Sequence, residues 1–133
     1  MIKAVLDTNV LVSSLLASGP PAVVVDLVAD GKIIPFFNDL ILQEYREVLS
    51  REKFGFSSLQ VTRLLNDIAR AGIAVESKTA GKLVMLDEDD QVFYDTALQT
   101  RSYLVTGNKR HFPKKAFIVS PAQFLSLYQK LLT

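Results

Sequence analysis

The sequence predicts an α/β fold, a three-layer arrangement with helices on both faces of a mostly parallel sheet of about five strands. Short apolar segments alternate along the chain with longer segments whose apolar residues recur at helical spacing. Most of the strands are separated by a helix, which favours parallel neighbours and right-handed crossovers. The chain has 133 residues and is 49% hydrophobic, enough for the core of one domain, which we expect to span residues 1–133.

The amino-terminal half is predicted to begin with a strand that runs directly into a helix. Pro20 or Pro21 fits the first turn of a second helix, Gly31 ends that helix, and Asn38 caps a third. The predicted elements are, in order, strand 2–6, helix 9–17, helix 20–30, strand 32–37, helix 39–51, a connector over 52–56 and an amphipathic helix over 57–72 whose apolar residues include Leu59, Leu64, Leu65, Ile68 and Ala69.

The carboxyl-terminal half contains the other three predicted strands. Four consecutive acids, Asp87 to Asp90, open a helix, since acids in a first turn complement the helix dipole. Ser120 followed by Pro121 is typical of a helix cap and a first helical residue. The predicted elements are strand 73–75, a polar connector over 76–82, the apolar segment 84–86, helix 87–101, strand 103–106, strand 117–119 and helix 121–131.

Two features of the composition limit what the chain can bind. The chain has no cysteine, so a metal ion must be held by oxygen atoms or by the single histidine, His111. Oxygen ligands suit Mg²⁺ or Mn²⁺. No apolar segment reaches the roughly 18 residues of a membrane span, and the start of the chain lacks a leader pattern, so we expect a cytoplasmic protein with no membrane partner.

Charge is distributed unevenly along the chain, although the formal net charge is only +1. Residues 1–95 contain all fourteen acids and nine Lys or Arg, whereas residues 96–133 contain six Lys or Arg and no acid. A basic surface beside an acidic centre suits a polyanion such as a nucleic acid, held by its phosphates. The alternative is ordinary solvation of a charged surface.

Polar residues follow two of the predicted strands where each strand ends. Asp7 follows the first strand, and in open α/β sheets ligands bind in the crevice outside the carboxyl ends of the strands. The alternative is that Asp7 or Thr8 only caps the next helix. Asn108 follows the fourth strand at the same edge, where Gly107 permits a tight approach; the alternative there is a plain turn, for which Gly-Asn is ordinary.

Two further acids lie beside the apolar faces of their helices. Glu44 neighbours Ile41 and Val48 at helical spacing, so its carboxylate emerges beside apolar surface; alternatively, it is an edge residue whose head reaches water. Asp90 is predicted to head the buried face of its helix, whereas capping explains most of the acid cluster around it. Asp95 is predicted to face solvent.

Four segments, in this order and spacing, resemble one known family. They are Val5 to Val10 (VLDTNV), Glu44 to Leu49 (EYREVL), Asp90 with Ala97 seven residues later, and Thr106 to Pro113 (TGNKRHFP). They resemble the PIN domain, a family of metal-dependent ribonucleases, and the branch is similar to the VapC-like toxins of bacterial toxin–antitoxin pairs. The resemblance covers essentially the whole chain and implies the PIN-like α/β/α sandwich.

The resemblance implies a metal site and assigns residues to it. The implied metal ligands for Mg²⁺ or Mn²⁺ are Asp7, Glu44 and Asp90, and the implied catalytic residues are these three and Asn108. Thr8 matches a hydroxyl that supports the first acid, and Asn9 stands beside it. Many relatives have a fourth acid where this chain has Asn108, and an uncharged amide disfavours a second metal ion.

The resemblance also implies an RNA substrate and a small antitoxin protein as partners. The cations best placed to hold the RNA backbone are Lys109, Arg110, Lys114 and Lys115. Helix 121–131 could contact the antitoxin or form a homodimer, or it could simply pack on the sheet. His111 lies where some relatives have another acid, and we expect it to face solvent rather than to bind a metal.

Two other functions are compatible with the same residues. The chain could be a catalytically silent PIN-like module for RNA binding or protein interaction, because Asn108 reduces the charge of the site. It could also be a phosphotransferase or phosphatase with Asp7 as covalent nucleophile. Such enzymes usually need a second acid two residues after the first, where this chain has Asn9, and Glu44 would then have no role.

Overall fold

The structure, a computed structural model, describes residues 1–78 and 87–133, and its centre is a five-stranded sheet. Two 3₁₀ turns, Glu52–Phe54 and Lys109–His111, lie between the main elements. These elements are, in order, β1 (Lys3–Leu6), α1 (Thr8–Leu16), α2 (Pro20–Ala29), β2 (Ile34–Phe37), α3 (Asp39–Leu49), α4 (Ser58–Ala71), β3 (Ile73–Ala74), α5 (Glu88–Thr100), β4 (Tyr103–Val105), β5 (Ile118–Val119) and α6 (Pro121–Leu132).

The sheet has the strand order β3-β2-β1-β4-β5, and every neighbouring pair is parallel. Helix α5 packs against β1, β2 and β4, and α6 packs against β4 and β5. Ala4, Val5 and Leu6 of the central strand are at most 1% exposed, as expected for a parallel strand covered on both faces. The predicted three-layer α/β/α sandwich with a parallel sheet is therefore confirmed.

The order of the strands creates a crevice beside β1. From β1 the chain adds β2 and then β3 on one side, and it places β4 and β5 on the other side. Leu6 at the end of β1 pairs with Val105 at the end of β4, so Asp7 and Thr106 leave the sheet side by side. In open α/β sheets, this reversal of strand order is the position at which ligands bind.

Some predicted elements differ from those observed. The predicted connector 52–56 contains a 3₁₀ turn, which ends at Gly55 with a φ of 67°. In α4, Leu59 is 58% exposed and Ala69 is exposed, although both were predicted on the apolar face; Val61, at 7%, is buried instead. The predicted apolar segment 84–86 and the end of the connector 76–82 lie outside the described residues.

Helices α1 and α2 pack against each other directly after β1. Gly19 lies at the break between them with a φ of 137°, which glycine adopts without the steric cost of a side chain, and Pro20 begins α2. None of the described helices is by itself long and apolar enough to cross a membrane. Helices α1 and α2, bent by 103°, meet that criterion only when counted together, by length and composition.

Candidate functional site

Asp7 is enclosed at the end of β1, with only 7% of its surface exposed. Its Oδ2 atom accepts hydrogen bonds from Thr106 Oγ1 at 2.7 Å and from Asn9 Nδ2 at 3.1 Å. Although Asp7 immediately precedes α1, its side chain makes no capping hydrogen bond to that helix. Burial raises the pKa of Asp7, and the hydrogen bond from Thr106 opposes the rise. Helix capping therefore does not account for this carboxylate.

Thr106, to which the sequence analysis assigned no role, connects the ends of β1 and β4. It is fully buried, and its hydroxyl donates to Asp7 and accepts from the backbone N–H of Asn108 at 3.0 Å. Asn9 makes a second connection, because its Oδ1 atom accepts from the backbone N–H of Gly107 at 3.0 Å. The signal in the sequence was a hydroxyl residue at the end of an otherwise apolar strand.

Two buried hydrogen bonds fix α3, the helix that carries Glu44. The Tyr45 hydroxyl donates to the backbone carbonyl of Leu6 at 2.6 Å, so the residue after Glu44 is tied to the residue before Asp7. Asn38, which caps α3, donates through Nδ2 to the hydroxyl of Thr96 on α5 at 2.9 Å. These contacts place the half-buried Glu44 between the end of β1 and α5.

The carboxylates of Glu44 and Asp90 lie close enough to other acids to be affected by their charge. Burial raises the pKa of Glu44, and repulsion from Asp89 adds to the rise. Burial, followed by repulsion from Asp7 and Asp87, raises the pKa of Asp90 to about 6. Arg51 opposes the rise for Glu44 and His111 opposes it for Asp90, but neither outweighs burial and repulsion. A proton or a cation would therefore stabilise both carboxylates further.

The acids that open α5 have separate roles. Asp87 is the N-cap, and its side chain accepts from the backbone N–H of Asp89 at 2.8 Å, so capping explains this member of the cluster. The Asp90 side chain is 16% exposed, and its Oδ2 atom lies 3.6 Å from Nδ1 of His111. Asp90 thus faces the loop after β4 and does not cap its own helix.

The prediction that Asp95 faces solvent was wrong. Asp95 is 6% exposed, and its Oδ1 atom accepts a hydrogen bond from Gln91 Nε2 at 2.7 Å. Helix α5 buries five consecutive residues, from Phe93 to Ala97, because it is enclosed on more than one face. An amphipathic pattern predicts exposure only for a helix with one buried face.

Asn108 and Thr8 lie beside the acids. Asn108 is half-buried in the turn after β4, and its carbonyl accepts from the backbone N–H of His111 at 3.0 Å. Thr8 is 5% exposed next to Asp7, and its hydroxyl has no hydrogen-bond partner in the described part of the chain. An unpaired buried hydroxyl at this edge leaves one oxygen donor free for a bound water or ion.

The chemistry of the donors fits a hard divalent cation such as Mg²⁺ or Mn²⁺. The oxygen donors are the carboxylates of Asp7, Glu44 and Asp90 and the amide of Asn108. Within residues 1–78 and 87–133, no Lys or Arg forms an ion pair with these carboxylates, and no three Asp, Glu or His side chains are arranged to hold one ion by themselves. Magnesium sites often use one or two carboxylates together with waters and substrate phosphates, so the set remains suitable.

The two flanks of these acids differ in charge. A groove of about 270 Å³ between α3 and α5 is lined by acids, namely Glu44, Glu47, Glu88 and Asp89. On the other flank, Lys109 and Arg110 are exposed on the 3₁₀ turn directly after Asn108, and Lys114 and Lys115 are exposed in the next loop. Arg101 precedes β4 and Lys130 ends α6, so these two cations of the basic tail belong to the opposite edge.

Comparisons with known proteins identify the family. A family model described as PIN domain matches residues 3–110, which include Asp7, Glu44, Asp90 and Asn108. The uncharacterized protein MJ1680 of Methanocaldococcus jannaschii is 30% identical over 112 residues, covering 81% of this chain and 72% of the relative. The fold is similar to that of a chain in the crystal structure of VapBC2 from Rickettsia felis bound to a DNA fragment from their promoter. The TM-score is 0.58, the sequence identity is 17%, and the match covers 84% of this chain and 94% of that chain. The predicted resemblance to the PIN domain is confirmed, and the chain belongs to the PIN domain family.

Proposed function

We propose that this PIN domain, spanning residues 1–133, is a metal-dependent endoribonuclease that hydrolyses RNA phosphodiesters. One observation supports the proposal: Asp7, at the end of β1 and the switch point of the sheet, lies within electrostatic reach of Glu44 on α3 and of Asp90 on α5. Among the described residues, no Lys or Arg forms an ion pair with these three carboxylates. PIN domains are generally nucleases, and a nuclease of this kind needs an acidic site for a divalent cation.

In this proposal the residues of the chain have distinct tasks. Asp7, Glu44 and Asp90 hold Mg²⁺ or Mn²⁺, and Asn108 contributes its amide oxygen or positions a water. When bound, the ion would polarise the scissile phosphate and lower the pKa of the attacking water. Asn9 and Thr8 support Asp7: Asn9 donates to its Oδ2 atom, and the unpaired Thr8 hydroxyl is available beside it.

The basic flank is the proposed path of the RNA backbone. Lys109, Arg110, Lys114 and Lys115 are exposed and follow Asn108 in the chain, so phosphates held by them would lead into the site. The groove between α3 and α5 carries acids, which repel phosphates. We therefore expect the RNA to approach from the loops after β4 and to avoid the α3–α5 side.

We further propose that the protein is the toxin of a toxin–antitoxin pair and acts in the cytoplasm with a small antitoxin protein as partner. The support is the likeness of its fold to a chain of VapBC2 from Rickettsia felis, whose crystal structure contains a DNA fragment from their promoter. Leu131 and Leu132 at the end of α6 are 69% and 68% exposed, so this end of the helix could contribute to an antitoxin contact or a homodimer. Phe124, earlier in α6, is fully buried and serves the core.

An RNA cleavage assay with and without Mn²⁺ or Mg²⁺ tests the enzyme. We expect Asp7→Asn, Glu44→Gln and Asp90→Asn each to abolish metal-dependent cleavage while thermal stability is kept or raised, since each removes a charge from a repulsive group. Matched controls are Asp26→Asn and Glu52→Gln, which change exposed acids on other elements. RNA binding without cleavage in the wild type would favour the silent module instead.

Induced expression in a bacterial host tests the toxin assignment separately. Wild-type protein should arrest growth, and Asp7→Asn should not, although both accumulate to the same level. Asp26→Asn should arrest growth like the wild type, because this exposed acid lies on α2 and away from the site. Cleavage in vitro without any effect on growth would keep the nuclease and reject the toxin.

A further inference from the structure

His111 faces the acidic site from the loop after β4, although the proposed function gives it no task. It ends the 3₁₀ turn Lys109–His111, and its backbone N–H donates to the carbonyl of Asn108 at 3.0 Å. The next residue, Phe112, is 7% exposed and anchors the turn in the core. The His111 side chain is 50% exposed, in keeping with the expectation from the sequence, and its Nδ1 atom points toward Asp90.

The distance between His111 and Asp90 is too long for a hydrogen bond but is close to the separation of two ligands of one ion. Nδ1 lies 3.6 Å from Asp90 Oδ2, beyond the roughly 2.7–3.2 Å of an N–H···O hydrogen bond. Two neighbouring ligand atoms that each lie about 2.1 Å from one ion are about 3 Å apart when they subtend a right angle. A small movement of either side chain would therefore allow both to bind one ion between them.

No Lys or Arg among the described residues forms an ion pair with Asp7 or Asp90. In the described ranges, the ion pairs that involve Lys or Arg join Arg51 to Glu47 and Arg70 to Asp67, and neither includes Asp7 or Asp90. The imidazole is also close enough to Asp7 to lower the pKa of that carboxyl, as it does for Asp90. His111 therefore stands within electrostatic reach of two of the proposed ligands.

We propose that His111 is itself a ligand of the divalent ion held by Asp7 and Asp90, and that its nitrogen makes the site prefer Mn²⁺ to Mg²⁺. This inference rests on the proposed metal-dependent function. Imidazole is a better ligand for first-row transition ions than for Mg²⁺, which prefers oxygen. A fourth carboxylate, the usual way to strengthen such a site, is missing because position 108 is Asn, and a neutral imidazole adds a ligand without adding repulsion.

Pulsed electron paramagnetic resonance of the Mn²⁺-loaded protein tests the ligand directly. His111 is the single histidine of the chain, so in protein freed of any affinity tag an imidazole ¹⁴N coupling to Mn²⁺ can arise only from this residue. We expect the coupling in the wild type and its loss in His111→Asp and His111→Gln. Replacing ¹⁴N by ¹⁵N in histidine alone should change the signal in the wild type and leave both variants unaffected.

Calorimetric titrations with Mn²⁺ and Mg²⁺ test the preference. His111→Asp supplies a carboxylate in place of the ring, so it should keep Mg²⁺ affinity while the ratio of Mn²⁺ to Mg²⁺ affinity falls by about tenfold. His111→Gln should lose affinity for Mn²⁺ more than for Mg²⁺. Melting curves without metal verify that both variants are folded.

The outcomes separate this inference from the proposed function. If wild-type Mn²⁺ binding is abolished by Asp7→Asn but shows no ¹⁴N coupling and no change of preference in the His111 variants, the inference is refuted and the metal site stands. If the wild type binds no Mn²⁺, or binds it equally well after Asp7→Asn, the proposed metal site and this inference both fail.

Discussion

Asp7 and Asp90 belong to the same candidate site, yet the fold holds them in opposite ways. Asp7 is 7% exposed, and Thr106 and Asn9 donate hydrogen bonds to its carboxylate. For Asp90, no hydrogen bond to the carboxylate is present in the described part of the chain, and its nearest ionic partner is His111 at 3.6 Å. One acid is fixed by the ends of two central strands, whereas the other rests on the first turn of a helix.

This difference indicates how the site would respond to an ion. Hydrogen bonds to a carboxylate favour its charged form and hold it in one orientation. Asp90 lacks such bonds, and burial and neighbouring acids raise its pKa to about 6. Its charged form is therefore stabilised most by an added cation. We infer that the β1–β4 side is formed in advance and that the α5 side closes on the metal.

The largest expected effects come from truncating each acid. Asp7→Ala and Asp90→Ala should both abolish metal-dependent cleavage, but only Asp7→Ala should destabilise the metal-free protein. Removing Asp7 leaves two donors, Thr106 and Asn9, without their acceptor, at a cost of about 1–3 kcal/mol for a buried unpaired group. Removing Asp90 relieves repulsion and should leave the free energy of unfolding unchanged or higher.

Urea denaturation in the presence of a chelator measures this contrast. Asp26→Ala, at an exposed position of α2, is the control for the loss of a carboxylate as such. Equal destabilisation by Asp7→Ala and Asp90→Ala would show that the fold holds both acids in the same way.

Removing the Thr106 hydroxyl, which donates a hydrogen bond to Asp7, is the second test of how the fold holds Asp7. Thr106→Val keeps the shape of a fully buried residue but deprives Asp7 of a hydrogen bond and leaves the Asn108 N–H without its acceptor. We expect a loss of about 1–3 kcal/mol in unfolding free energy and a reduction of cleavage by at least about tenfold. Thr62→Val, on the exposed face of α4, should change neither quantity.

The fold was predictable because the strongest signals were local and repeated. The apolar segments of β1 and β4 and the spacing of α3 each predict one element, and strands separated by helices predict a parallel sheet. The parallel sheet in turn brings Asp7 and Asn108 to one edge, since both follow the carboxyl end of a strand. Their neighbourhood could therefore be predicted without coordinates.

The contacts between elements were harder to predict from the sequence. Asp95 was misassigned because α5 is enclosed on more than one face, and sequence periodicity does not reveal what covers the second face. Thr106 and His111 acquire their positions from pairing across the sheet and from a 3₁₀ turn, respectively. Neither residue carries a periodic signal, so the sequence could identify them only as part of a family motif.

Asn108→Asp tests whether the loop after β4 contributes to the site. A carboxylate there adds a charge to the acid group, so Mn²⁺ binding should tighten by about tenfold, or about 1.4 kcal/mol, and more at low salt. The metal-free protein should lose stability through added repulsion, and saturating Mn²⁺ should restore it by linkage. Calorimetry with paired melting curves measures both; no change in either would reduce Asn108 to a turn residue.

A smaller effect is expected from pH. The pKa of Asp90 rises from the ordinary 3.8 to about 6 on folding, so between these values the folded protein holds a proton that the unfolded chain has released. Unfolding free energy should therefore fall as the pH rises from about 4 to about 6 in metal-free buffer. Asp90→Asn should reduce this slope, whereas Asp26→Asn should retain it; part of the slope should remain, because burial also raises the pKa of Asp7 and Glu44. An unchanged slope in Asp90→Asn would mean that Asp90 is not the group responsible.

The smallest expected change concerns the basic flank, whose side chains are exposed, in contrast to the acids of the site. Changing Lys114 and Lys115 together to Gln should weaken RNA binding and reduce the slope of log affinity against log salt by about 1.4, since each phosphate contact with a single strand contributes about 0.7. Mn²⁺ affinity should stay the same, because the acids that hold the ion are untouched.

The control pair is Lys32→Gln with Lys130→Gln, which removes the same charge from the opposite edge of the sheet, where Lys32 lies beside the end of α6. If both pairs reduce the slope equally, general attraction by net charge explains the binding, and the loop after β4 is not the path of the RNA.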